Sequence, residues 1–272
     1  MASDTLKIRK LNQEQLEILE LLFKFRFASK ELVAEYFTER SGMDVYRRLA
    51  VLCKYELIAK RFEPSYRLQG KPAAYHLLPA GIKKLSEHRD IEITTARVKT
   101  AYKDKTVSED FTSHCMQVLG AFNQLKRTYR DAIRFYTKVD LNIETYDYFP
   151  KPLPDAFLSL KEQNQTQRYF LETLDPAMPL FVLRKQVKQY IDYYESGAWD
   201  DTGSDFPVIL YVCQSDKQEK QVLKTISKAL DSEDEPTFAT TTYAKLKEMS
   251  KEAAIWRSAI DLDETHDLRS IS

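Results

Sequence analysis

No apolar run in this 272-residue chain approaches the roughly 20 residues needed to span a bilayer. The opening stretch MASDTLKIRK has no apolar core of the signal-peptide kind. The expectation is therefore a cytoplasmic protein without a membrane helix. Cysteine is scarce. Cys53, Cys115 and Cys213 form no CxxC pair and no even framework, so they read as reduced thiols rather than a disulfide scaffold or a zinc site. No GxxxxGK[ST], HExxH or GxSxG stretch occurs, which leaves nucleotide hydrolysis, zinc proteolysis and serine-hydrolase chemistry without support.

What is present is the composition of a globular protein, 43% hydrophobic and 30% charged, long enough for one large or two ordinary domains. Its net charge of zero hides an asymmetry. Residues 1–105 hold 21 Lys and Arg against 14 Asp and Glu, and the totals of 41 of each sign leave 20 against 27 for the rest. A basic half joined to an acidic half points to two units with different electrostatic tasks.

In the basic half, NQEQLEILELLFKFRF places Leu16, Ile18, Leu19, Leu22 and Phe23 at helical spacing, with Asn12 and Gln15 as a capping box. SKELVAEYF predicts a short second helix capped by Ser29. SGMDVYRRLAVLCKYELIAK predicts a third, with Val45, Leu49, Leu52 and Cys53 as its buried stripe. RFEPSYRLQGKPAAYHLLPAGIKKL reads as strand, Gly-Lys-Pro turn and strand, then a helix from about Pro79. This order resembles a winged helix-turn-helix over residues 1–90. That likeness implies duplex DNA as partner. Arg47, Arg48 and Lys54 would sit on the recognition helix, and Arg67 and Lys71 at the wing. A protein-docking winged helix is the alternative. His76, on the second wing strand, is expected to face solvent or DNA.

Residues 91–106 read as a linker or connecting helix, and 107–258 as an α/β domain, α+β with the first unit included. SEDFTSHCMQVLGAFNQLKRTYR predicts a long amphipathic lead helix. Strands follow at AIRFYTKVDLNIE, PDAFLSLK and QRYFLETL, then a helix from PLFVLRK onward. The uniformly apolar VILYVC should be a central strand buried on both faces. A helix, a short strand at TFATTTY and a final helix over YAKLKEMSKEAAIWRSA complete the domain.

The stretch LPDAFLSLKEQNQTQRYFLETLDP carries the candidate chemistry. Strand alternation puts Asp155, Phe157, Ser159 and Lys161 on one face, and Thr166, Arg168, Phe170, Glu172 and Leu174 on one face of the next strand. Pairing Lys161 with Thr166 sets Asp155 opposite Glu172, with their Cβ atoms about 5 Å apart. Two carboxylates that close repel unless a proton or cation lies between them, and oxygen ligands suit Mg²⁺ or Mn²⁺.

The helix–strand–strand–strand–helix–strand order, with Pro154-Asp155 and then Glu172, resembles the PD-(D/E)XK nuclease fold. SHCMQVLGAF, LPDAFLSL, RYFLETLDPAMPLFVLRKQVKQYIDYY, FPVILYVC and TFATTTYAKL together resemble the replication-relaxation proteins of plasmids and mobile elements. The resemblance implies DNA binding, nicking during plasmid replication or transfer, and replication or transfer proteins as partners. It makes Asp155 and Glu172 a metal pair and places His114 on the lead helix, with either a site-edge role or an ordinary structural one.

The pattern also departs from these families. The nuclease superfamily has Lys two residues after the Glu, and the relaxation proteins have Asp there; here Leu174 stands at that position and Asp175 falls one place late. Lys161 is roughly 20 Å from Asp155 along its strand. Lys185 or Lys188 on the following helix would have to supply the missing group. Two readings stand: a Mg²⁺- or Mn²⁺-dependent nickase, or a non-catalytic DNA-binding regulator whose retired nuclease fold serves partner contacts. The acidic balance of the second domain and Leu174 favour the latter.

Tyr190, Tyr193 and Tyr194 invite comparison with tyrosine relaxases. Yet no two of His76, His88, His114 and His266 lie within ten residues, so the paired-His metal site of those enzymes is absent, and packing is the reading for the tyrosines. Residues 259–272 read as a solvated acidic tail, with autoinhibition of the basic half as the weaker alternative.

Overall fold

The computed structural model describes residues 10–37, 42–89, 95–141, 146–162, 165–230, 235–260 and 264–271. The chain forms two compact units, Met1–Leu119 and Gly120–Ser272. Among the described residues no helix is long and apolar enough to cross a membrane.

In the first unit the order is α1 (Gln13–Phe25), β1 (Phe27–Ser29), α2 (Lys30–Tyr36), α3 (Gly42–Lys54), β2 (Ile58–Arg61), α4 (Pro64–Leu68), β3 (Ala74–Leu77), α5 (Pro79–Ser86) and α6 (Thr95–Lys103). α7 (Glu109–Tyr129) follows, and the boundary between units falls within it. The expected capping box is present: Gln15 N–H donates to Asn12 Oδ1, and Asn12 N–H to Gln15 Oε1. Ser29 caps α2 as its sequence position requires. The third helix buries Val45, Leu49 and Leu52.

The expected hairpin is differently built. Three strands form the sheet among the described residues, in the order β1-β3-β2, because Phe27–Ser29 also pairs with β3. β2 ends at Arg61, and residues 64–68 turn into α4. Glu63 is extended at the N-cap, and Pro64 has the φ a first helical turn needs. Arg67 therefore lies on a short helix rather than a strand. His76 is also corrected. It is 1% exposed, packs against Phe27 with ring centroids 5.6 Å apart, and has Nδ1 3.1 Å from the Leu77 carbonyl oxygen. Gly81 is required by close approach, since a Cβ there would run into the Leu57 carbonyl that accepts from Leu78 N–H. The connecting segment is helical as α6 and fastened to the first unit. Arg97 donates to the Phe23 carbonyl, and the buried Asp104 pairs with Arg26.

In the second unit the order after α7 is β4 (Ile133–Thr137), β5 (Ala156–Glu162), β6 (Gln165–Thr173), α8 (Leu180–Glu195), β7 (Val208–Cys213), α9 (Asp216–Ser227), β8 (Phe238–Thr242), α10 (Tyr243–Lys247), β9 (Trp256–Ser258) and β10 (Thr265–His266). Among the described residues they make a seven-stranded sheet, β10-β9-β8-β7-β6-β5-β4, parallel at β6/β7 and β7/β8 and antiparallel elsewhere. This is the mixed α/β sheet with flanking helices that the sequence pattern called for. β7 is buried along its whole length at the centre. On one face Phe170, Ile209, Tyr211 and Phe238 pack with Val187 and Tyr190 of α8 and with Val222, Leu223 and Ile226 of α9.

Three expectations fail here. The strand expected over 132–144 stops at Thr137, where the Asp140 carboxylate accepts from Thr137 N–H and Oγ1–H and fixes a turn; residues 142–145 lie outside the described residues. The final helix ends at Lys247, and Trp256 joins β9, because cross-strand pairing and complete burial of the indole outweigh helix propensity. The last residues are not a solvated tail. β10 pairs with β9, Leu268 and Ile271 are buried, and Tyr169 Oη donates to the Leu268 carbonyl at 2.7 Å.

Candidate carboxylate site and nucleic-acid surface

β5 and β6 pair in the expected register, Lys161 with Thr166 and Ala156 with Leu171, so Asp155, one residue ahead of β5, comes opposite Glu172. Both carboxylates are 6% exposed. Burial at the end of a sheet demands partners for both, since an unpaired buried carboxylate is expensive.

Asp155 is held on two sides. Lys138 Nζ donates to Oδ1 at 2.8 Å, while Thr173 N–H and Oγ1–H donate to Oδ2 at 2.9 and 3.0 Å. Lys138 follows β4, in the turn that Asp140 fixes, and its side chain is 51% exposed. The partner is thus neither Arg168, whose guanidinium donates to the Thr166 carbonyl, nor Arg184, which is exposed on α8. Glu172 faces α8, where Tyr190 Oη donates to Oε1 at 2.6 Å and the Tyr190 ring stacks on Phe170. Burial, and then the Glu172 carboxylate, push the Tyr190 phenol well above its ordinary pKa; burial and Glu172 do the same to Tyr211. Burial and then Asp155 raise Tyr243.

Glu172 also borders a cleft of about 290 Å³, shared with Gln186, Gln189, Tyr190 and Tyr193. Two polar atoms in this region, Tyr211 Oη and Gln186 Oε1, have no hydrogen-bond partner among the described residues. The α8 side chains on this cleft are Gln186, Gln189, Tyr190, Asp192 and Tyr193, and Lys151 lines it from the segment before β5. Lys185 and Lys188 are exposed, and neither lines it; Lys188 opens on the opposite side of α8. His114 is half-buried on the part of α7 that belongs to the first unit.

The donor set decides how well a divalent ion fits. Among the described residues no three His, Cys, Asp or Glu side chains cluster as metal ligands. Oδ1 of Asp155 has the Lys138 ammonium against it, and Oδ2 is engaged by Thr173. As folded, Asp155 is paired with a protein cation and Glu172 accepts from a phenol, a donor set that argues against Mg²⁺ or Mn²⁺.

The family model described as Replication-relaxation matches residues 19–209. The chain belongs to the replication-relaxation family. No curated protein matches it. Among solved structures, it is similar to the restriction endonuclease FokI bound to DNA, at 10% identity with a TM-score of 0.31, covering 89% of this chain and 45% of that one. It is likewise similar to a structure titled as FokI alone, at 10% identity and a TM-score of 0.34, covering 86% and 43%. The chain spans less than half the length of these FokI chains.

In this replication-relaxation protein the cations expected to meet DNA separate into two groups. Met43, Tyr46, Arg47, Ala50 and Lys54 form one exposed stripe on α3, at the spacing of a single helix face. The Arg47 side chain is 74% exposed and Lys54 is exposed beside it. Arg67 and Lys71 are exposed between β2 and β3, with Lys71 Nζ 2.7 Å from Glu109. Arg48 departs from the expectation. Its guanidinium turns inward to Glu14 on α1 and to the Asp44 carbonyl, and its side chain is only 23% exposed. Three residues that organise the carboxylate pair, Lys138, Thr173 and Tyr190, went unrecognised as site residues. The Pro154-Asp155 start of β5 signals a polar partner nearby, but nothing local says that it comes from the β4 turn.

Proposed function

We propose that this replication-relaxation protein is a duplex-DNA-binding factor acting in plasmid or mobile-element replication or transfer. The first unit is read as a winged helix that grips DNA through α3. The observation that carries this is the exposed α3 stripe: Arg47 and Lys54 supply phosphate contacts, and Tyr46 and Met43 supply apolar surface for base edges. Arg67 and Lys71 extend the basic surface toward the flanking backbone. The second unit is read as a nuclease-like scaffold whose Asp155–Glu172 pair is neutralised from within the protein.

Fluorescence anisotropy with labelled duplex DNA tests this. Wild-type protein should bind with salt-dependent affinity, and Arg47→Glu/Lys54→Glu should lose on the order of 100-fold at low salt. Unchanged binding by the double variant sinks the proposal.

A second reading, metal-dependent nicking, is favoured by one observation: Glu172 borders an open cleft with unpartnered polar atoms beside it. Conversion of supercoiled plasmid to nicked form with Mg²⁺ or Mn²⁺, lost in Asp155→Asn, would establish it. No conversion under those conditions would leave the scaffold reading in place.

A further inference from the structure

The groove between α8 and α9 is a large surface feature that neither the carboxylate pair nor α3 accounts for. Its volume is about 890 Å³. Arg184 and Lys188 line it from α8 at i,i+4 spacing, and Lys224 lines it from α9. Lys217, two turns earlier on α9, lines the adjoining depression that shares Leu180 and Gln221 with the groove. Among the described residues none of these four cations makes an ion pair.

Three further residues define the groove's polarity. Asp192 and Glu195 line it in the last turns of α8, with Lys224 and Lys228 in and just past the last turn of α9, which leaves Arg184 as the cation at the N-terminal end of α8. At that same end Phe181 stands 72% exposed on the first turn of α8, next to the groove-lining Leu180.

We infer that this groove binds one strand of single-stranded DNA, its phosphates on Lys217, Arg184, Lys188 and Lys224 and a base on Phe181. The warrant is chemical. Arg184 and Lys188, one helical turn apart at roughly 6 Å, suit successive phosphates of a single strand, and Lys217 and Lys224 lie two turns apart on α9. A basic track with an exposed aromatic at its edge is the arrangement by which single strands are held without sequence readout. Replication chemistry exposes single strands, so the groove complements α3 without depending on it.

The experiment uses the full chain carrying Arg47→Glu/Lys54→Glu, with a fluorescein-labelled oligothymidylate of about 15 nucleotides as probe. Binding should persist in this background, with a log–log salt slope near −2.8 for four phosphate contacts at about 0.7 each. Adding Arg184→Gln/Lys188→Gln/Lys224→Gln should bring the slope to about −0.7. Phe181→Ala should weaken binding on the order of tenfold while leaving the slope unchanged, because stacking releases no counterions. All of these side chains are exposed, and equal melting midpoints across the variants confirm intact folds. Oligothymidylate binding unaltered by both the triple Gln variant and Phe181→Ala overturns the inference. So does loss of all binding in the α3 background, or displacement of the probe by polyglutamate as readily as by unlabelled oligothymidylate. Duplex binding that survives Arg47→Glu/Lys54→Glu would instead count against the α3 proposal alone.

Discussion

Lys138 Nζ sits 2.8 Å from Oδ1 of Asp155, a half-exposed ammonium against an almost fully buried carboxylate. Removing it as Lys138→Met leaves that carboxylate with the Thr173 donors but without its cation. The expected cost is about 1–2 kcal/mol, discounted because Lys138 is half in water. Urea unfolding would measure it, and Lys138→Met/Asp155→Asn should recover part of the loss through their coupling. The same Lys138→Met variant should gain Mn²⁺ affinity by calorimetric titration. A wild-type protein that already binds Mn²⁺ through Asp155 would contradict the neutralised-pair account.

Tyr190 and Glu172 form the other half of the site. Tyr190→Phe keeps the ring stacked on Phe170 but deletes the donor to Glu172 Oε1. Stability should fall by about 1–3 kcal/mol. Combined with Glu172→Gln the total loss should be smaller than the sum of the single losses.

His76 gives the first unit a pH dependence. Its burial lowers its pKa below the ordinary 6.5, so the folded state resists the proton that the unfolded chain takes up. The stabilising contribution is complete above the unfolded pKa and is lost as pH falls from there through the folded value. Melting midpoints recorded from pH 7.5 down to 5 should decline, and His76→Gln should flatten that decline. A wild-type midpoint that rises on acidification would refute the assignment.

Arg47 and Arg48 are adjacent in sequence and opposite in expected phenotype. Arg47→Ala should weaken duplex binding and leave the melting midpoint unchanged. Arg48→Ala breaks the pair with Glu14 and should lower stability by roughly 1 kcal/mol, with little direct effect on DNA affinity. Anisotropy and thermal melting on the same two proteins separate the outcomes.

Leu268 is fully buried although it lies in a stretch that reads as a tail. Leu268→Ala should destabilise the second unit by about 2–4 kcal/mol. A solvated tail would show no measurable change.

Some of this was legible in the chain and some was not, for physical reasons. The β5/β6 register followed from two-residue alternation and a short turn, and the facing of Asp155 and Glu172 followed from the register. The uninterrupted VILYVC announced a strand covered on both faces. Lys138 was invisible because its partner lies on another strand, reached through a turn that a single side chain, Asp140, fixes. α4 was masked by hairpin-like punctuation at Gly70-Lys71-Pro72, although Pro64 marked a helix start. Trp256 sits in an alanine-rich stretch that favours helix and Leu268 among polar residues that favour coil, and only the sheet edge they join decides otherwise.

The sheet of the second unit is laid out in chain order: from β4 to β10, each strand lies beside the one that precedes it. Every pairing therefore closes the shortest loop the chain allows, which keeps contact order low for so wide a sheet. β6 precedes VILYVC in the chain, so the neighbour for its first edge is synthesised before it. The stretch most prone to aggregate thus spends the least time with both edges open. Strand sequence serves here as a folding schedule, with the short pair β9 and β10 closing the last edge.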